Sequence, residues 1–180
     1  MIPSAEQQEF ELFARTYSDR LLRTAYLLVG DAHEAEDVVQ AALLRTARRW
    51  GRAQDAPFPY ARQVVVNLVK DRWRYLGRRP RRTADDVATL ALACGTGERD
   101  LDRVLQRDLL LRAVQQLPPK QRAVVVLRYL DDLSVEETAR ALGTTTGTVK
   151  THASRGLARL RTVLDDNTSS PDELERPHAH

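Results

Sequence analysis

Apolar residues recur along this chain of 180 residues at spacings of three and four positions, and no segment alternates as a strand would. The pattern therefore predicts an all-α protein. In the first half it predicts a helix that ends at Gly30, a second that begins at Asp31 and runs to about Trp50, and a third from about Tyr60 to Leu76. The first helix carries one apolar stripe, which consists of Phe10, Phe13, Tyr17, Leu21, Ala25 and Leu28.

Two further helices, separated by a tight turn, are predicted near the C-terminal end. Ser134 and Glu137 have the spacing of a capping box, which starts the first of them. Gly143 is suited to end that helix in a left-handed conformation, and Thr145 can cap the next one. The expected core positions of the second helix are Val149, Ala153, Leu157, Leu160 and Leu164. This arrangement is typical of a helix-turn-helix.

The outer side of that second helix carries hydroxyl groups and cations. The side chains opposite the apolar positions and on their flanks are Thr148, Lys150, Thr151, Ser154, Arg155 and Arg159. Such residues contact base edges and phosphates, and no Asp or Glu between residues 144 and 164 would repel a phosphate. The helix therefore predicts binding to duplex DNA. The alternative is a helical hairpin in another kind of all-α domain.

A change in composition divides the chain into two small helical domains joined by a flexible linker. Gly and Pro residues punctuate the stretch that we predict as the linker, residues 79–101. The domains on either side are expected at 1–78 and 102–165. A helix that begins near residue 101 and another over about 119–129 precede the helix-turn-helix. The remaining residues, 166–180, are polar and acidic and are predicted to be a disordered tail.

Charge is distributed unevenly along the chain. The formal net charge is +3, with 42% hydrophobic and 29% charged residues, as in a soluble helical protein. Residues 1–40 contain eight acidic against three basic residues, whereas residues 45–82 contain twelve basic against two acidic. This separation suggests two faces with different partners, one of them a polyanion, although a solvated helix surface can have the same pattern.

Several classes of function have no support in the sequence. Cys94 is the single cysteine, which excludes an intrachain disulfide and a cysteine-based metal cluster. We find no clustered carboxylates, phosphate-binding glycine loop or nucleophile triad, so we predict neither an enzyme, nor a metal site, nor a cofactor. No apolar run approaches the roughly 20 residues that cross a bilayer, and the first residues lack the order of a signal peptide. We therefore expect a cytoplasmic protein without membrane insertion.

The C-terminal half resembles a known family. Residues 117–161, LPPKQRAVVVLRYLDDLSVEETARALGTTTGTVKTHASRGLARLR, look like the C-terminal domain of bacterial RNA polymerase sigma factors of the extracytoplasmic-function type, the sigma-24 or SigE-like group. The shared pattern is L-P, then S-x-x-E-x-A-x-x-L-G, then G-T-V-K. Response-regulator activators carry a similar T-V-K-x-H helix, so this segment alone leaves both families open.

The second predicted helix strengthens the resemblance. Glu34, Asp37 and Gln40 form an acidic, polar stripe, which as a pattern could be an ordinary surface. However, residues 30–44, GDAHEAEDVVQAALL, resemble the sigma-factor helix that binds the clamp coiled coil of the largest polymerase subunit. The resemblance implies that Asp37 and Gln40 bind core polymerase, with Glu34 as a weaker candidate. A Glu often follows the Gln in that family; here it is Ala41, so a smaller contact is expected.

The third predicted helix resembles the one that engages the −10 element as DNA melts. Asn67 and Asp71 carry this resemblance, although an Arg commonly precedes the Asn and this chain has Val66 there. The resemblance implies −10 contacts by Phe58, Tyr60, Arg62, Asn67, Lys70, Asp71 and Arg74. The loop predicted over residues 51–59 would then receive a flipped base, and the candidate rings to stack it are Phe58, Tyr60 and Trp50. From the residues alone, Asp71 is interpreted as an intrahelical partner of Arg74 or Arg72, and Trp50 as a core residue.

Together these segments imply a sigma factor that binds core polymerase and directs promoter recognition and melting. The implied partners are the clamp coiled coil, the polymerase flap for the C-terminal domain, and promoter DNA. An anti-sigma factor that clamps both domains is common in this family and is a further implied partner, which nothing here identifies. The alternatives are a helix-turn-helix regulator that does not load onto polymerase, which would need a sensor or dimerisation domain, and an enzyme acting on nucleic acid.

Overall fold

A computed structural model describes residues 4–76 and 109–168, and over these ranges the regular elements are helices alone. Helix α1, Ala5–Val29, begins at Ser4, whose hydroxyl accepts a hydrogen bond from the Gln7 N–H at 3.3 Å. It ends at Gly30, where φ is +85° and the N–H donates to the carbonyl of Tyr26. The predicted end of α1 is therefore confirmed. Glycine suits this position, because a residue with a Cβ rarely adopts the left-handed conformation.

Three more helices complete the N-terminal domain: α2, Ala32–Ala47; α3, Trp50–Ala53; and α4, Pro57–Leu76. The prediction that the second helix reaches Trp50 was wrong, because a break separates α2 from α3. The prediction of a loop over residues 51–59 was also wrong in part. Pro57 and Pro59 lie in the first turn of α4, where a backbone N–H has no helical partner and proline is therefore tolerated.

Aromatic rings fill the core of the N-terminal domain at the start of α1. The Phe10 and Trp50 ring centroids lie 5.4 Å apart, and the Tyr17 and Phe58 ring centroids lie 5.1 Å apart. Trp50 is buried, which confirms its predicted core role. Alanines without accessible surface let α1, α2 and α4 approach closely: Ala25, Ala35, Ala42 and Ala61.

The C-terminal domain begins, within the described residues, with a helix at 109–115, named α5 here. Helix α6, Pro119–Val125, continues into a π-helical turn, Val126–Leu130. The sequence predicted the extent of this segment correctly but missed its widened last turn. Such turns are rare and often lie at functional sites.

The helix-turn-helix consists of α7, Val135–Leu142, and α8, Thr146–Thr168. The predicted capping box is present: the Ser134 N–H donates to the Glu137 carboxylate at 2.7 Å, and the Glu137 N–H donates to the Ser134 hydroxyl at 3.0 Å. Hydrogen bonding by Ser134 to the Glu137 carboxylate, from its backbone N–H above all, holds the pKa of Glu137 below its ordinary value. Gly143 ends α7 at φ +65°, and Thr145 accepts from the Thr148 N–H at 3.2 Å, so both predicted caps are confirmed.

A glycine that the sequence analysis did not single out brings α8 onto α6. A Cβ at Gly156 would lie 2.8 Å from Cγ2 of Val125 and 3.6 Å from Cβ of Gln121. The predicted core positions of α8 face inward: Val149, Ala153 and Leu160 are buried, and Leu157 and Leu164 are half-buried. Helix α8 extends to Thr168, past the domain end predicted at residue 165. The predicted linker, Cys94 and residues 169–180 lie outside the described residues.

The two domains pack directly against each other. Helix α1 contacts α6 and the π-helical turn, and α4 contacts α7. The buried side chains Leu117, Val126 and Leu127 belong to the same apolar core as Leu21 and Val65 of the N-terminal domain. In the described part of the chain no helix is both long and apolar enough to cross a membrane.

Candidate nucleic-acid interface

The outer face of α8 presents the predicted duplex-DNA contacts to solvent. Lys150, Thr151, Ser154, Arg155 and Arg159 are exposed, and Thr148 is half-buried. The Thr151 hydroxyl donates to the Gly147 carbonyl at 3.0 Å, so its oxygen is left as an acceptor towards DNA. Residues 144–164 contain no acidic group, and the two carboxylates of α8, Asp165 and Asp166, lie at its C-terminal end, beyond the predicted contacts.

A groove beside α8 holds residues that sequence reasoning missed. It has a volume of about 400 Å³, and its lining includes Arg128, Tyr129, Lys150 and Arg161. The guanidinium of Arg128 lies 5.6 Å from the centroid of the Tyr129 ring, which is exposed at the π-helical turn. Arg128 also donates to the Leu133 carbonyl. The groove therefore extends the positive face of α8 towards the π-helical turn. The hydrophobic periodicity of the sequence did not indicate that Arg128 and Tyr129 would lie there, because the π-helical turn departs from the regular helical repeat.

The three polar residues predicted on α2 differ in their contacts: Asp37 and Gln40 face solvent, whereas Glu34 is paired. Asp37 and Gln40 are exposed one turn apart, and Leu44, one turn further on, is 60% exposed. The Glu34 carboxylate forms an ion pair with Arg72 of α4, while the Glu34 N–H donates to the Asp31 carboxylate at 2.8 Å. Asp37 and Gln40 are thus the freer pair for a partner, and Glu34 ties α2 to α4.

Helix α4 carries four of the predicted −10 contacts along one side: Asn67, Lys70, Asp71 and Arg74. Asn67, Asp71 and Arg74 are exposed and Lys70 is half-buried. The carboxylate of Asp71 lies 2.9 Å from the guanidinium of Arg74, which confirms the intrahelical pair expected from the residues. The side-chain oxygen of Asn67 accepts from Gln63 at 3.1 Å.

The aromatic residues predicted to stack a base are not open platforms in this arrangement. Phe58 is 8% exposed, and its ring lies 4.4 Å from the guanidinium of Arg20 and 5.4 Å from that of Arg62. Tyr60 is half-buried. Base stacking by Phe58 stays a prediction that would require this ring to become exposed.

Arg62 faces the C-terminal domain. Burial lowers the pKa of Arg62, and the nearby Asp131 carboxylate opposes that shift. Burial likewise raises the pKa of Asp131, against a hydrogen bond from Thr24 and the charges of Arg62, Arg20 and Arg23. Arg62 also lines a cleft of about 180 Å³ between α4 and α7. One of the predicted −10 contacts therefore lies at the junction of the two domains.

Family comparisons match both domains in order. The Sigma-70 region 2 model matches residues 13–79, and the Sigma-70, region 4 model matches residues 107–160. The RNA polymerase sigma-E factor of Streptomyces avermitilis is 40% identical over 173 residues, which cover 95% of this chain and 93% of that protein. The ECF RNA polymerase sigma factor SigW of Bacillus subtilis is 29% identical over 176 residues, 92% of this chain and 94% of SigW.

A solved structure has the same fold. It is the sigma factor RpoE of Bartonella quintana in complex with the anti-sigma factor NepR. The TM-score is 0.61 with 22% identity, over 88% of this chain and 98% of that one.

Proposed function

Because this chain belongs to the extracytoplasmic-function sigma factors of bacterial RNA polymerase, we propose that its two domains bind two separate promoter elements while helix α2 binds core polymerase. The observation that carries the proposal is the exposed, acid-free cationic face of α8, on a helix-turn-helix whose capping box and glycine cap are both present. A regulator that does not load onto polymerase is not favoured, since the Sigma-70 region 2 model matches residues 13–79.

Helix α8 is proposed to read the −35 element as duplex DNA. The contacts are Thr148, Lys150, Thr151, Ser154, Arg155 and Arg159. Five of these side chains already face solvent, so this face needs little rearrangement before it enters a major groove. Arg161, on the edge of the adjacent groove, extends the same positive surface.

Helix α4 and its first turn are proposed to bind the melted −10 strand. Asn67 and Arg74 are exposed and supply hydrogen bonds and charge, and Lys70 adds a second cation. Asp71 orients Arg74 through their ion pair. Phe58, Tyr60 and Arg62 complete the proposed contacts. Arg62 lines the cleft between α4 and α7, whereas the Phe58 ring is covered by Arg20 and Tyr17 of α1.

Asp37 and Gln40 are proposed to contact the clamp coiled coil of the largest polymerase subunit, and Glu34 is proposed as a weaker contact because it already pairs with Arg72. The C-terminal domain would contact the polymerase flap. An anti-sigma factor is a proposed partner, since the relative RpoE is held by NepR.

The proposed domain limits are 1–78 and 102–165. The proposed location is the cytoplasm, where polymerase acts. The chain would contribute binding alone, and the chemistry of RNA synthesis would belong to polymerase.

The assignment of α2 is tested by core binding. Asp37→Ala with Gln40→Ala should weaken association with core polymerase roughly tenfold or more, since a truncated interfacial charge leaves its partner unpaired. Asp19→Ala is the matched control, because Asp19 is an exposed acid on α1. Gel filtration of chain and core, with circular dichroism to verify the fold, measures the effect. Equal association of the double variant and the control would refute the assignment.

A further inference from the structure

The groove beside α8 combines an apolar base with a cationic rim. Val149 and Ala153 are buried at its base, and Leu157 is half-buried beside them. The rim consists of three cations, Arg128, Lys150 and Arg161, and none of the described side chains that line the groove is acidic. Within the described residues, neither Lys150 nor Arg161 forms an ion pair. The groove therefore offers apolar surface and cations to the same ligand.

This combination discriminates between classes of ligand. A phosphate backbone would pair with the rim, but it carries no apolar group that could cover Leu157. An apolar side chain alone would leave the rim cations without partners. The ligand that fits both parts is a peptide segment in which a side chain the size of leucine is flanked by carboxylates.

The chain carries such a segment shortly after α8. Residues 171–176 read PDELER, in which Leu174 has acidic neighbours on both sides. Leu174 is the one leucine, isoleucine or valine among residues 169–180. Pro171 does not continue a helix, and a Ser-Pro sequence favours a turn, so the sequence is suited to reverse its direction after Thr168.

The distances allow this segment to reach the groove. Leu157 lies about 16 Å back along α8 from Thr168, at about 1.5 Å per residue. In an extended chain Leu174 can lie up to about 20 Å beyond Thr168, at about 3.3 Å per residue. By the same count Arg161 is about 10 Å back, and Asp172 can lie up to about 13 Å beyond. A reversal after Thr168 would therefore bring Leu174 to Leu157 and Asp172 to Arg161.

We propose that residues 171–176 bind this groove in the free chain, with Leu174 over Leu157 and the carboxylates at the cationic rim. The bound segment would shield Lys150 and Ser154, which line the groove, and would so compete with DNA for the face of α8. The proposal rests on the proposed function of α8. A segment predicted as disordered can bind in this way, because it becomes ordered only on contact and stays exchangeable.

Leu174→Ser tests the docking apart from any general effect of charge, because it removes the apolar side chain and keeps every carboxylate. Amide NMR spectra of the full chain measure the docking directly. We expect the resonances of Val149, Ala153 and Leu157 to shift between the native chain and Leu174→Ser. Leu12→Ser is the matched control, since Leu12 is 68% exposed on α1, and it should leave these resonances in place. Identical groove resonances in the native chain and Leu174→Ser would contradict the docking.

DNA binding measures the consequence of the docking. Leu174→Ser should raise the affinity for a short duplex of mixed sequence about fivefold at low ionic strength, as expected if the segment occupies the groove for about four-fifths of the time. Leu12→Ser should leave that affinity unchanged, and fluorescence anisotropy measures both. A further variant replaces the three carboxylates by amides, through Asp172→Asn, Glu173→Gln and Glu175→Gln. If this variant binds duplex more tightly but Leu174→Ser does not, the segment acts through its charge alone and the docking is wrong.

The two readouts separate a failure of this inference from a failure of the proposed function. If the native chain and Leu12→Ser bind duplex but the groove resonances do not respond to Leu174→Ser, the docking is wrong and the function of α8 stands. If the groove resonances respond but neither the native chain nor any variant binds duplex, the docking is supported and the proposed function of α8 fails.

Discussion

One carboxylate shows how the arrangement of charges couples the two domains. Asp131 is buried against Thr24 and interacts with the charges of Arg20, Arg23 and Arg62. Burial is the largest influence and raises the pKa of Asp131, so the attraction of three arginines does not fully compensate for lost hydration. The contact therefore gives the packed state a dependence on pH.

Rising pH weakens the contribution of Asp131 to the stability of the packed chain. Because the pKa of Asp131 is raised in the folded chain above the ordinary value of 3.8, the folded state retains this proton at pH values where the unfolded state has released it. The stabilising contribution is complete below the unfolded pKa and is lost as the pH rises through the folded pKa. We expect the free energy of unfolding of the native chain, relative to Asp131→Asn, to fall with rising pH across this window.

Urea denaturation at a series of pH values measures this difference. Asp132→Asn is the control, since Asp132 is exposed and adopts φ +55°, which Asn tolerates. If the free energy of unfolding of the native chain rises relative to that of Asp131→Asn as the pH rises, the raised pKa of Asp131 is wrong.

On the outer face of α8, two cations should behave differently towards DNA. Arg155→Ala should weaken binding to duplex −35 DNA by about 1–3 kcal/mol and relax specificity at one base pair, as expected when a base contact is lost. Lys150→Ala should weaken binding to all sequences and reduce the salt slope by about one, as for a phosphate contact. Fluorescence anisotropy at several salt concentrations separates them, with Arg15→Ala on α1 as the charge-matched control. Identical salt slopes for the two variants would refute this division.

At the scale of elements, the sequence predicted what local chemistry determines. The capping box at Ser134 and the glycine caps at Gly30 and Gly143 each involve residues within a few positions of one another, so pattern alone located those helix ends. The start of α4 was missed, because Pro57 and Pro59 are typical of loops as well as of first turns. Prolines near a helix start are thus ambiguous without the structure.

Contacts between distant parts of the chain could not be predicted. Glu34 was expected on the polymerase-binding stripe, but its carboxylate pairs with Arg72, which is 38 positions away. Phe58 was expected to stack a flipped base, but Arg20 and Tyr17 of α1 lie against its ring. Neither partner leaves a signal in the local spacing.

The close approach of α8 to α6 leads to a prediction about Gly156. Gly156→Ala places a methyl group 2.8 Å from Cγ2 of the stiff, buried Val125. Overpacking of about 1–3 kcal/mol should exceed the roughly 0.5–1 kcal/mol that alanine adds within a helix. We therefore expect a net loss of about 1 kcal/mol in the free energy of unfolding, measured by guanidinium denaturation.

Gly147→Ala is the control in the same helix. The nearest atom to a Cβ there, the Thr145 hydroxyl, lies at 3.9 Å, so the substitution should be neutral or slightly stabilising. Equal effects at both glycines would show that the contact with Val125 is not tight.

At the scale of the molecule, charge and packing divide the surface by partner. The acidic face of α2 and the cationic face of α8 are exposed together, while α4 lies partly under the helix-turn-helix. The uneven charge along the chain indicated the acidic N-terminal surface, and the hydroxyl and cationic residues of α8 indicated the second surface. The packing of the domains was not predicted, because its polar contacts join residues 78 to 107 positions apart.

The central claim is that one chain directs polymerase through two promoter elements. The most direct test is transcription by core polymerase from a Streptomyces host, whose sigma-E factor is 40% identical to this chain, on templates with randomised −35 and −10 regions. Sequencing of the transcripts identifies the templates used. We expect transcripts only when the chain is added, from templates that share two conserved blocks at a constant spacing. No transcript above that of core alone, or enrichment of a single block, would contradict the account.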